Sequence, residues 1–137
     1  MPGRTDAAVL VPLYDHGERL HAVFTRRRDD LRRHAGEISF PGGRQDAPAE
    51  DLRETALRET EEEIGLPRDA VELAGALVPT PTVVTNYAIY PFVGVIEPGH
   101  TWLPSAGEVA EVLEIALPDL VGAQLVGEAH DEVEAGG

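Results

Sequence analysis

Residues 58–63 hold an arginine and then four glutamates in five positions: Arg58, then Glu59, Glu61, Glu62 and Glu63. On a helix advancing about 100° per residue, Glu59 and Glu63 come nearly into line, and Glu62 lies next to Glu59 around the cylinder. Leu52 falls close to that line, with Ala56, Leu57, Thr60 and Ile64 beyond it. The acidic edge therefore borders the buried stripe and should line a cleft. Like charges at this spacing oppose the helix by roughly 0.2–0.5 kcal/mol per pair, and Arg58 is the compensation nearest to hand. A hard divalent cation removes the repulsion: carboxylate oxygens and retained waters suit Mg²⁺ or Mn²⁺, which bridges to substrate phosphates and activates a water. For the glutamates taken alone, a solvated acidic helix is the plainer account.

A second constellation has the opposite sign. All eleven cationic side chains are arginine, and Arg26, Arg27, Arg28, Arg32 and Arg33 fall within eight positions. The guanidinium fork matches phosphate oxygens, so this stretch is a candidate anion site; a solvated charged loop after a strand is the alternative. The net charge of −14 argues against general attraction to nucleic acid or anionic lipid. No apolar run approaches the roughly 18 residues of a membrane span. The first residues lack the pattern of a secretory signal and there is no cysteine, which makes the cytoplasm the default expectation.

These residues need elements to hold them. Residues 7–13 and 20–25 are apolar runs around a turn-rich stretch and predict a hairpin. Phe40-Pro41-Gly42-Gly43 breaks regular structure. Residues 48–64 predict a helix, with proline near the start, acidic residues in the first turn, and Gly65 and Pro67 as stop signals. Strands are expected at 71–78, 87–96 and 111–117, with loops at 79–81 and 98–99 and one short helical turn at 118–123. Strands, helix, strands implies an α/β or α+β fold with a mixed sheet and a packed helix. One domain over residues 1–126, followed by an acidic, disordered tail at 127–137, accounts for the length.

The run from Arg58 to Leu66, with Glu50 eight residues before Arg58 and Gly43 earlier, resembles the Nudix box, G-x5-E-x7-R-E-U-x-E-E-x-G-U, where U is apolar. Strict spacing puts the first glycine at Arg44, so Gly43 serves with one extra loop residue, and Thr60 stands where the pattern is usually aliphatic. The resemblance implies an α/β/α Nudix sandwich in which divalent ions help water attack a diphosphate. By the same likeness Glu59, Glu62 and Glu63 match the metal ligands, and Arg58 matches the arginine that orients them. Gly42 and Gly43 would let the backbone approach phosphate, or form an ordinary turn. Glu50 is either a metal-shell residue or, the preferred reading, a favourable charge in the first helical turn. The general base stays open between Glu62 and a loop carboxylate such as Glu108.

Thr25, Arg27, Arg32, Gly36 and Phe40-Pro41-Gly42-Gly43 resemble a second motif, T-x-R-[SA]-x3-R-x3-G-x3-F-P-G-G, of the coenzyme A pyrophosphatase subgroup; Arg28 stands where that motif has Ser or Ala. This likeness implies hydrolysis of coenzyme A or its thioesters, with Arg27 and Arg32 on phosphate. The alternatives are a Nudix hydrolase of ADP-ribose, NADH or another nucleoside diphosphate derivative, and an inactive Nudix-fold ligand-binding module. The likeness covers about residues 7–120, and the subgroup usually continues further. The expectation is a C-terminally shortened form, with homodimerisation as one way to cover the sheet.

Overall fold

The computed structural model describes residues 5–30, 36–82 and 87–119. Its frame is one mixed sheet of eight strands with one long α-helix and a short helical turn at 117–119 among the described residues. Strand β1 (Thr5–His16) turns into β2 (Arg19–Arg27) through Gly17 and Glu18, both at positive φ. That two-residue turn matches the twist of the flanking strands. The hairpin is ladder-bonded only at its tip, where Leu13 to His16 face Ala22 to Arg19. Below it the strands diverge, and the wedge is filled by two short strands. Here β3 (Ile38–Ser39) pairs with β2, and β4 (Gly42–Arg44) pairs with β1.

On its other edge β1 runs parallel to β7 (Tyr87–Val95). Strand β7 is bordered in turn by β5 (Glu72–Ala76) and β6 (Thr80–Thr82), while β8 (Val109–Ala116) pairs with the free edge of β2. The hairpin and the mixed α+β sheet follow the pattern read from the sequence. Two expected breaks turn out to be strands: Gly42-Gly43 joins β1, and Thr80-Pro81 joins β7. Both segments are too short to show a period of two, so a ladder partner supplied by tertiary structure decides them.

Helix α1 spans Leu52–Ile64. It starts four residues later than residues 48–64 suggested, because Asp51 caps it by accepting the Arg53 amide at 2.8 Å. The preceding chain is a turn in which the Glu50 amide donates to the Ala47 carbonyl at 2.9 Å. Gly65 ends the helix at φ 76°, its amide donating to the Glu61 carbonyl. Thr55, Ala56, Leu57, Thr60 and Ile64 form the buried face. They pack on one side of the sheet, with Ala8, Leu10, Tyr14, Val23, Leu66 and Ile96 in the same core. A short 3-10 turn (Arg68–Ala70) leads into β5. A second helical segment begins at 117–119, where the described residues end. The expected turn at 118–123 lies largely outside them, and the tail at 127–137 wholly so.

Candidate active site

The acidic edge of α1 meets the glycine segment of β4. Glu59, Glu63, Gly42, Gly43, Arg44, Gln45, Asp46, Arg27 and Glu108 line one polar cleft of about 500 Å³. The expectation that Glu59 and Glu63 border a cleft is met, and Arg27 and Glu108, distant in sequence, share it with them. Glu62 does not line it: its side chain is 58% exposed and takes a 3.3 Å bond from Arg58. One residue of helical phase moves it around the cylinder toward solvent. Arg32 lies outside the described residues.

Close approach explains both glycines. A Cβ on Gly42 would stand 2.3 Å from the Ala8 carbonyl oxygen, and one on Gly43 would stand 2.5 Å from the Glu59 carboxyl group. Gly42 therefore lets β4 sit against β1, and its amide donates to Glu63 Oε1 at 2.9 Å. Gly43 leaves the room that the Glu59 carboxylate occupies. The bare backbone serves the carboxylates directly, a role the spacing of the motif does not reveal.

Arg58 is the hub of the charge network. Its Nε donates to Glu50 Oε2 at 2.9 Å, Nη2 to Glu50 Oε1 at 3.2 Å and to the Arg44 carbonyl at 3.2 Å, and Nη1 to Glu59 Oε2 at 2.9 Å. The sequence reading of Glu50 as a first-turn charge is corrected here. It precedes the helix cap and clasps Arg58 with both oxygens, while also accepting from the Asp46 amide and the Thr55 hydroxyl. The guanidinium, followed by those two donors, holds the Glu50 carboxyl down at about 2. The same pairing raises Arg58.

Glu63 is the opposite case. Burial pushes it up to about 7, reinforced by the charges of Glu59 and Glu108 and opposed by the Gly42 amide and by Arg27. Burial also raises Glu59, with Arg58 opposing. Two desolvated carboxylates in one cleft are a donor set that a hard cation would relieve. No three carboxylate or imidazole groups among the described residues already converge as a cage.

The polar cleft shares Gly42 and Gly43 with an apolar one of about 810 Å³, whose walls include Val9, Phe24, Ile38, Phe40 and Ile89. Phe24 and Phe40 stack there with ring centroids 4.5 Å apart.

A mixed sheet carrying a capped helix, with the helix's acidic edge facing a glycine strand, defines a Nudix architecture. The NUDIX domain family model matches residues 4–133, and the chain belongs to that family. An uncharacterized Nudix hydrolase NudL of Pectobacterium atrosepticum is 41% identical over 113 residues, covering 82% of this chain and 58% of that protein. The chain spans little more than half the length of the curated relatives it matches. The solved Ap4A hydrolase of C. elegans, in a binary complex, superposes with a TM-score of 0.72 at 17% identity, covering 86% of this chain and 84% of that one. The NUDIX domain of Shewanella oneidensis NrtR, complexed with ADP ribose, superposes at 0.69 and 16% identity, covering 97% and 90% respectively. These two likenesses establish the fold. No helix among the described residues is long and apolar enough to cross a membrane.

Proposed function

We propose that the chain is a divalent-metal-dependent diphosphatase that hydrolyses coenzyme A or its thioesters to adenosine 3',5'-bisphosphate and 4'-phosphopantetheine or its acyl form. The observation that carries this reading is the convergence of Arg27, Glu59, Glu63 and Glu108 on one cleft walled by Gly42 and Gly43. Glu59 and Glu63 would hold Mg²⁺ or Mn²⁺, with Glu62 of the same helix as the third carboxylate the motif resemblance implies. The bound ion would supply charge neutralisation at the diphosphate and acidify water. Arg27 binds a phosphate oxygen. Arg58, anchored by Glu50, fixes the direction of Glu59. Glu108 accepts the proton of the attacking water as the new P–O bond forms and the bridging P–O bond breaks, and the leaving phosphate oxygen carries away the electron pair. The apolar cleft beyond the glycines offers room for the organic arm of the substrate.

The choice of coenzyme A over other nucleoside diphosphate derivatives rests on Thr25, Arg27, Gly36 and the Phe40 to Gly43 segment. The test is product analysis after incubation with coenzyme A, ADP-ribose and NADH separately, each with Mg²⁺, Mn²⁺ or chelator. Metal-dependent release of adenosine 3',5'-bisphosphate from coenzyme A is the expected result. Turnover confined to ADP-ribose or NADH would overturn the substrate assignment and keep the chemistry. Nucleotide binding by the folded chain without any turnover would favour a binding module.

A further inference from the structure

The connection from β7 to β8 carries Glu108 into the cleft and is held from two directions. On the helix side, the Leu103 and Ser105 amides donate to the Ile64 and Glu63 carbonyls at 2.8 and 2.7 Å. Trp102 Nε1 donates to Glu114 Oε2 at 2.9 Å, while the other Glu114 oxygen accepts from the Tyr14 hydroxyl at 2.7 Å. On the β2 side the holder is Arg28. Its amide donates to the Glu108 carbonyl at 3.0 Å and its Nη1 to the Ala106 carbonyl at 2.6 Å. The guanidinium is fixed in turn by Asp30, at 3.0 Å from Nε and 2.5 Å from Nη2.

The stretch between these holders has little packing of its own. Ala106 and Gly107 are exposed, and no atom of the described residues lies within 4 Å of the position a Gly107 Cβ would take. Its course is set by hydrogen bonds: the Glu108 and Val109 amides close a turn on the Ser105 carbonyl at 3.1 and 2.9 Å. A serine or alanine at position 28, as in the motif this segment resembles, is too short to reach the Ala106 carbonyl. Arg27 and Arg28 thus divide the work: one guanidinium lines the cleft and the next fixes the backbone that delivers the cleft's loop carboxylate. We infer that Arg28 is a positioning residue that sets the place of Glu108 through the Ala106 carbonyl, an inference that rests on Glu108 being the proton acceptor proposed above.

The test is a cycle of Arg28→Ala, Glu108→Gln and the double variant, on whichever diphosphate the wild type hydrolyses. Arg28→Ala is expected to lower kcat about tenfold with KM little changed, as misplacement of a reacting group does. Arg28→Lys, which keeps a donor for the carbonyl, should recover part of the loss. The double variant should be no slower than Glu108→Gln alone. Independent losses that multiply would overturn the proposal, as would an unchanged kcat for Arg28→Ala. Amide hydrogen exchange of the metal-free protein gives a second readout: Arg28→Ala should speed exchange at 106–109 and leave β1 and α1 as they were, and identical exchange would refute the fixing role. If the wild type hydrolyses no diphosphate, the functional reading fails, and the exchange experiment still decides whether Arg28 holds the loop.

Discussion

Replacing Glu50 with glutamine isolates the anchor of the arginine hub. In the wild type both Glu50 oxygens take bonds from Arg58, at 2.9 and 3.2 Å, and the two side chains are only 19% and 20% exposed. Removing one charge from such a pair leaves the other partly desolvated and should cost on the order of 1–3 kcal/mol. The sign with pH is fixed by the folded carboxyl lying near 2, below its ordinary value of 4.5. Because the unfolded chain binds the proton more readily, this contribution is complete above the unfolded value and fades as pH falls toward the folded one. Urea unfolding of wild type and Glu50→Gln should therefore differ most at about pH 6 and draw together as pH falls through about 4.5 toward about 2. Turnover should fall as well, since Arg58 freed from Glu50 can lean further onto Glu59 and compete with the cation. A stability difference that stays constant with pH, or grows on acidification, would refute the assignment of the charge network.

Thr60 is buried and its hydroxyl has no hydrogen-bond partner among the described residues, so Thr60→Val should raise stability by about 1 kcal/mol in thermal unfolding and leave turnover intact. Glu63→Gln should abolish turnover while the circular dichroism and unfolding midpoint stay close to wild type; near-normal activity would remove Glu63 from the metal site. Arg27→Ala should raise KM more than it lowers stability, and unchanged kinetics would take that guanidinium out of the cleft. The two glycines should separate by assay. A Cβ at Gly42 meets the immovable Ala8 carbonyl, so Gly42→Ala should destabilise the fold. Gly43→Ala meets only the Glu59 carboxyl group and should mainly displace it, with loss of metal affinity by titration exceeding loss of stability.

What the sequence discloses here depends on the range of the forces involved. The phase of Glu59 and Glu63 on α1, the Gly65 stop and the β1–β2 hairpin are local consequences of periodicity and turn chemistry, and they read directly from residue order. The strand character of Gly42 to Arg44 does not, because it comes from the gap left when β1 and β2 diverge. Glu50 was legible as a charge eight residues ahead of Arg58 but not as its clamp, since the chain must turn at 47–50 before the two meet. Gln45 lines the cleft without any pattern that marks it, and Arg28 was legible as one of the clustered arginines and as a departure from a motif, but not as a holder of the loop at 106–108. Glu62, which the motif sets beside the metal ligands, stands on the exposed side of α1 and pairs with Arg58.

The parallel pairing of β1 with β7 also bears on how the protein is made. Ala7 lies beside Ile89 and Leu13 beside Val95, so the first strand has one edge without this neighbour until residue 95 has left the ribosome. Strand β2 waits longer still, since its outer edge is closed by residues 109–116. Such late closure slows folding and lengthens the time that unpaired backbone is open to other chains. Nascent chains stalled before residue 95 should therefore depend on chaperones, and those extended past 116 should become resistant to protease in a single step.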